Sequence, residues 1–268
     1  MTHLFGRVLV GFFGLITLYP FVWMVLSSFK SNREIYQPGN LLPQSFDPFS
    51  YRLLFSGDFV DFYEVLGRSL LFAGGQALFA CLITSGCGYA LAKGRFMGKS
   101  LLFLISLLVI LYPQQTMSLA LFEWMTTMGM TGNLYALIFS GVASGLGVVF
   151  FTQVFRKMPD ELIDLATVEG QSPWGTFLTL LPLIMPALIA YWVLHFLIGW
   201  QQHLLPLLVL GSDQLTLPLA LAKLADTSHR IPEAVGLAAG VVAMLPVMLV
   251  FLVCFRRLRS ALSEWVVS

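Results

Sequence analysis

Of 268 residues, 57% are hydrophobic and only 11% are charged, less than half the roughly 25% of a soluble domain. A bilayer is therefore the solvent this composition anticipates, and a formal net charge of +1 supplies no basic surface for nucleic acid. The three cysteines, Cys81, Cys87 and Cys254, fall inside apolar runs, where small packing residues are expected rather than a disulfide framework.

Runs without Asp, Glu, Lys or Arg give the elements in chain order. The first covers 8–29, or 22 residues, and about 20 apolar helical residues cross the hydrocarbon core. It is too long for the core of a cleaved leader, and "SSFKSNREIY" follows it instead of a small-residue cleavage site, so a retained span is expected. Residues 30–68 carry Pro38, Pro43 and Pro48, with aromatics interleaved among polar residues. That pattern suits a helix lying at the membrane surface. Runs at 69–92, 100–122 and 132–155 predict spans two to four. The run 177–212 has 36 residues, too many for one crossing, so its first part is expected at the interface and a span near 183–205. A partly helical external loop at 212–233 precedes a last span at 234–255.

The fold class expected is an all-α membrane protein with six transmembrane helices, one domain over 1–268. Pro20, Pro113, Pro182, Pro186, Pro206 and Pro246 should kink helices, and "GVASG" at 141–145 fits close helix packing. With both termini cytoplasmic, nine of the fifteen Lys and Arg lie on short cytoplasmic segments: Arg7, Lys93, Arg95, Lys99, Arg156, Lys157, Arg256, Arg257 and Arg259. A multi-pass protein of the cytoplasmic (inner) membrane is the expected location.

Enzyme chemistry finds no footing. His3, His195, His203 and His229 are not at metal-ligand spacing, no G-x-S-x-G occurs, and the spans hold no carboxylate. "GRFMGKS" at 94–100 imitates a phosphate-binding loop but has three residues, not four, before its Gly-Lys. No catalytic residue, cofactor or metal site is expected, and ATP hydrolysis would belong to another chain.

Between spans four and five, "MPDELIDLATVEGQSPWGTF" (158–177) carries Asp160, Glu161, Asp164 and Glu169. Pro159 suits a first helical turn, the first carboxylates complement the helix dipole, and Gly170 can end the helix in the left-handed conformation. A helix near 159–170 results, cytoplasmic by the charge argument. Leu162, Leu165 and Ala166 are expected on one face, with Val168 beside it. So short a helix must dock on something, and an acidic one is repelled by the anionic cytoplasmic leaflet.

This segment resembles the EAA loop of ABC-importer membrane subunits, whose pattern is EAA, three residues, Gly, then a stretch ending in Leu-Pro. Here "DLATVEG" (164–170) is followed by "QSPWGTFLTLLP" up to Pro182. Asp164 stands for the Glu, Leu165 and Ala166 for the alanines, and Gly170 for the Gly. Leu165 departs from a small residue, and the Gly-to-Pro interval is one residue short. "YPFVWMVLSSFKSNREIYQPGNLLPQSFDPFSYRLLF" (19–55) and "TLPLALAKL" are similar to carbohydrate-type permeases of this family, specifically the smaller maltose-type subunit.

The resemblance implies half of a translocation path for a carbohydrate, completed by a second homologous permease subunit. It also implies a cytoplasmic ATPase dimer that holds the ATP and Mg, an extracytoplasmic solute-binding protein facing loop 212–233, and surrounding membrane lipid. Glu161, Asp164, Ala166, Gly170 and Pro173 would form the joint to the ATPase. The tail "RRLRSALSEWVVS" would approach it too, but lacks the Gly-rich, Lys-Gly ending of the subfamily. For the solute path, "PQQT" (113–116) and "WQQHLLP" (200–206) nominate Gln114, Gln115, Trp200, Gln202 and His203, since amides and aromatic faces suit sugar hydroxyls and pyranose faces. The same side chains could equally hydrogen-bond between helices. The alternatives are an importer for a polar non-sugar solute such as a glycerol phosphate derivative, a stand-alone secondary transporter, or a structural assembly subunit. An ion-coupled carrier would need the intramembrane charges that are missing here.

Overall fold

The computed structural model describes residues 2–37, 39–225 and 231–267, and side chains from residue 6 to 254 within those ranges, Gln114 excepted. In chain order the helices are α1 (Thr2–Ser27), α2 (Asn32–Ile35), α3 (Phe49–Phe55), α4 (Phe62–Lys93), α5 (Lys99–Leu111), α6 (Gln114–Thr127), α7 (Leu134–Ser140) and α8 (Gly145–Arg156). Then follow α9 (Glu161–Val168), α10 (Pro173–Leu180), a 3-10 turn (Leu181–Ile184), α11 (Met185–Gln201), α12 (Leu204–Val209), α13 (Leu217–Leu224) and α14 (Glu233–Val267). Every regular element among the described residues is helical, as expected of a chain in lipid, where a helix satisfies its own backbone. Four helices are long and apolar enough to cross a membrane, and up to six crossings result if each bent pair is one.

Three expected spans differ from the structure. The third, 100–122, is two helices meeting at 109°. The cause is Pro113: it has no N–H to donate, and it holds Tyr112 extended at φ −83°, ψ 128°. The fourth, 132–155, is α7 and α8, bent by 50° across Gly141–Ser144. The fifth starts at Pro173, not 183, and runs 29 residues to Gln201. Pro182 falls in the first positions of the 3-10 turn and Pro186 in those of α11, where a missing N–H costs nothing, so residues 177–182 are helical and continuous with the rest of that helix.

The chain forms two compact units, Met1–Gly67 with Leu217–Met248, and Arg68–Thr216 with Leu249–Ser268. In the first, the segment after α1 is a folded cap rather than one surface helix. Ser28 Oγ pairs with the Tyr51 hydroxyl at 2.7 Å, and the Phe29 ring lies 5.2 Å from that of Tyr51. The buried Lys30 donates to the Asn40 carbonyl at 2.5 Å. Glu34 accepts from the Ser31 and Gln44 amides and the Ser31 hydroxyl, and these bonds hold its carboxyl below the usual carboxylate range. Tyr36 donates to Glu233 in the first turn of α14. Within 212–233, α13 is helical as expected and buries Leu217, Ala220 and Leu224, while residues 226–230, which include His229 and Arg230, lie outside the described residues.

In the second unit, Ala80, Cys81, Phe151, Phe155, Phe177, Leu180, Ile184 and Tyr191 form one buried cluster. Glycine makes the approaches possible. A Cβ on Gly88 would stand 2.6 Å from the Phe151 Cβ and 2.8 Å from its carbonyl carbon. Both glycines of "GVASG" are contact positions: Gly141 faces the Gln76 amide, and a Cβ on Gly145 would stand 2.5 Å from the Ser106 carbonyl. They flank the α7–α8 break, however, and do not form one helical stripe. Here Tyr191 reaches Ser144 and Thr84, and its hydroxyl lies 3.3 Å from His195 Nδ1.

Replacing Gly88 by leucine should overpack this contact and destabilise the fold by about 1–3 kcal/mol, read as a lower unfolding temperature of the purified protein in detergent. Gly74→Leu, at a helical glycine whose Cβ would meet nothing within 4 Å, is the control and should leave that temperature nearly unchanged.

Candidate functional sites

Two places gather the residues the sequence nominated. The first is α9. It begins at Glu161, two residues after Pro159, because Asp160 takes the N-cap position and its carbonyl accepts from the Ile163 and Asp164 amides at 2.9 and 3.0 Å. It ends where the chain turns left-handed at Gly170, φ +76°. Gly170 N–H returns to the Thr167 carbonyl and Gln171 N–H to the Ala166 carbonyl, both at 3.0 Å, which satisfies the last carbonyls. Ser172 then caps α10, accepting from Gly175 N–H at 3.1 Å, with Pro173 at its first position.

The faces of α9 differ from the expected ones. Leu162, Ile163 and Ala166 point inward, the first two packing on the aromatic cluster and Ala166 being 7% exposed. Leu165 and Val168 stand on the opposite side, 62% and 87% exposed, beside the exposed Glu161 and Asp164. Positions 161, 164, 165 and 168 follow the i, i+3, i+4, i+7 spacing of one helical face. Of the five nominated residues, Glu161 and Asp164 are outward, Ala166 is the inward seat, Gly170 ends the helix, and Pro173 starts the next.

The sequence reading assigned Lys93 only to the charge count. The structure makes it the grip on α9. At the end of α4, with its side chain 10% exposed, it donates to the Met158 carbonyl at 2.7 Å and to Asp160 Oδ1 at 2.5 Å. The hydrogen bond and charge of Lys93, with Arg95 farther off, hold the Asp160 carboxyl below its usual value of 3.8. A lone cation ending an apolar span, opposite four carboxylates, was the available signal.

The second place is a cavity of about 460 Å³ between α6 and the α11–α12 corner. Gln115, Ser118, Gln201, Gln202 and His203 supply its polar lining, and Leu194, Leu197, Ile198 and Leu204 its apolar walls. The corner forms because Gln202 leaves the helix at ψ 124° before α12 restarts. Gln202 Oε1 is buried and unpartnered among the described residues. The structure therefore brings together Gln115, Gln202 and His203, and adds Ser118 and Gln201. Trp200 does not line the cavity; it is buried and stacks on Phe196 at 5.4 Å. The side chain of Gln114 lies outside the described residues, as do those of the tail beyond Cys254.

Long apolar helices, some interrupted at Pro113 and Gly141–Ser144, together with a cavity of polar lining at the α11–α12 corner, suit a membrane transport component. The chain belongs to the binding-protein-dependent transport system inner membrane component family, whose sequence pattern matches residues 82–266. It is 31% identical to the arabinooligosaccharides transport system permease protein of Halalkalibacterium halodurans, over 90% of this chain and 88% of that one. It is 27% identical to the diacetylchitobiose uptake system permease protein of Streptomyces coelicolor, over 97% and 87%. Its fold is similar to a chain in the crystal structure of a bacterial ABC transporter that imports the acidic polysaccharide alginate, with TM-score 0.84, 18% identity and 95% of both chains covered.

Lys93→Met should raise hydrogen exchange at the α9 amides several-fold, and Lys93→Arg should restore much of the protection. Because the Asp160 pKa is lowered on folding, the contribution of the bridge is fully present above pH 3.8 and is lost as pH falls through the lowered value. Exchange protection that depends on Lys93 should therefore be flat from neutral pH down to that range.

Proposed function

We propose that this chain forms half of the translocation path of a carbohydrate importer, with α9 as the coupling helix to a separate ATPase. Each bent pair, α5–α6 and α7–α8, counts as one crossing, giving six spans in one domain over 1–268 with both termini cytoplasmic. The charge distribution supports that sidedness, and it puts α9 on the ATP side. A second homologous permease would complete the path, a solute-binding protein would deliver to loop 212–233, and ATP with Mg would sit on the ATPase dimer alone.

One observation carries the reading: α9 leaves an aliphatic pair, Leu165 and Val168, uncovered beside two carboxylates, Glu161 and Asp164. That face is incomplete alone, and the anionic leaflet would repel it. A groove in a cytoplasmic subunit completes it, with Glu161 and Asp164 as the charged rim. Ala166 lets α9 sit close to its own span, Gly170 stops it, and Pro173 starts the helix that carries motion into α11.

Carbohydrate is favoured over a glycerol phosphate derivative by the cavity at the α11–α12 corner, lined by amides, a hydroxyl and His203 and by no Lys or Arg. An anionic phosphate would need a cation there. The relatives named for arabinooligosaccharide and diacetylchitobiose transport point the same way. Gln115, Gln202 and His203 are the proposed solute contacts in this subunit.

Asp164→Lys should strip the ATPase from the purified complex while leaving this chain in the membrane. Copurification unchanged by that substitution would remove α9 as the joint. Gln202→Ala should raise the transport KM for oligosaccharide about 2- to 10-fold, the worth of one hydrogen bond, with ATPase copurification unaffected.

A further inference from the structure

A second cavity, of about 630 Å³, lies between the end of α4, the turn that follows it, and α9–α10. That volume falls within the roughly 300–1,000 Å³ of ligand pockets. Its lining changes character along its length. On α4 the wall is made of Gly86 and Ala90, and a Cβ added at Gly86 would meet nothing within 4 Å. Tyr89, Phe96, Trp174 and Phe177 form an aromatic band, with Trp174 64% exposed and 5.1 Å from Phe177. Lys93 and Arg95 are the charged lining, and among the described residues no carboxylate lines it. Two carboxylates bond to lining residues: Lys93 engages that of Asp160, which also feels Arg95, and Gln171 donates to Glu169 Oε2 at 3.4 Å. Lys99 is turned away, donating to the Ala92 and Gly94 carbonyls at 3.0 and 3.1 Å. Arg95 is left exposed at the mouth.

We infer that this groove seats an anionic phospholipid, its phosphate at Arg95 and its acyl chain along Gly86 and Ala90. The inference rests on the proposed sidedness, which sets Arg95 and Trp174 at the cytoplasmic interface. Aromatic residues of this kind sit at headgroup level, and a cation there attracts an anionic headgroup by about 1 kcal/mol. The assignment gives "GRFMGKS" a role that the nucleotide reading could not. Its Arg95 and Phe96 face a phosphate diester held by lipid, not a triphosphate cradled by backbone. Because α9 contributes Ile163 and Thr167 to the opposite wall, an occupied groove braces the coupling helix against α4.

The test uses the complete transporter with its partner subunits. Lipids retained after detergent washing are counted by native mass spectrometry, and binding is titrated in nanodiscs of phosphatidylcholine with increasing phosphatidylglycerol. The wild type should retain phosphatidylglycerol. Arg95→Gln should weaken that binding about fivefold, the loss of one interfacial cation. Gly86→Leu should reduce retention of phosphatidylglycerol and phosphatidylcholine alike by filling the chain cleft. Inorganic phosphate should not displace the lipid. Unchanged phosphatidylglycerol retention in Arg95→Gln would overturn the inference. So would displacement by inorganic phosphate, or a photocrosslinker at Phe96 that captures a protein chain instead of lipid. Labelling Arg95→Cys with a membrane-impermeant thiol reagent from either side tests the sidedness separately, so failure of that reading is distinguishable from failure of the lipid site.

Discussion

A helix of eight residues has no stability of its own, and α9 is held by what its neighbours supply. Two supports do this. Leu162 and Ile163 rest against the aromatic cluster of α8, α10 and α11 with Ala166 buried beside them, and Lys93 holds the entry to the helix through Met158 and Asp160. The two act at different places, one under the middle of the helix and one at its start. Together they fix its outward face, with Glu161, Asp164, Leu165 and Val168, relative to α4 and α10. A push on that face is therefore delivered to two apolar helices instead of being absorbed by a loose loop.

The same unit explains why the long helices are broken where they are. Pro113 turns the chain away at the end of α5, and at the Gly141–Ser144 break the Tyr191 side chain of α11 reaches those of Ser144 and Thr84. At the α11–α12 corner the departure of Gln202 from the helix opens the polar cavity. Buried polar side chains also occur within unbroken helices, as Gln76, Thr84 and Ser85 on α4 and His195 on α11, but the cavity itself is lined where α11 gives way to α12.

Much of the fold was legible in the sequence because bilayer thickness sets a length that charge-free runs report directly. The end of α1 at Ser27, the end of α4 at Lys93 and the start of α14 at Glu233 lie close to the runs that announced them, while α4 starts earlier, at Phe62, and α14 continues to Val267. Bends were not legible in the same way. Pro113 and Pro182 look alike in sequence, yet one ends α5 at a 109° corner and the other sits in the first positions of a continuing turn, where its missing N–H is harmless. Tertiary neighbours decide which. At α9 the carboxylates and Gly170 were readable, because caps and helix ends are local. The inward face was not: Ile163 and Leu165 are both aliphatic, and only the position of Phe177 and its neighbours selects Ile163. Lys93 was readable as a cation ending an apolar span, but its partners were not, because they lie 65 and 67 residues away.

The proposed joint requires the outward face of α9 to be the one that meets an ATPase. The direct measurement is site-specific cross-linking in the assembled transporter, with a single reactive group placed in turn at each α9 position, in a background without Cys81, Cys87 and Cys254. The account predicts cross-links to the ATPase subunit from positions 165 and 168, and none from 162, 163 or 166. Cross-links from 163 or 166, or an outward face that captures only lipid, would contradict it.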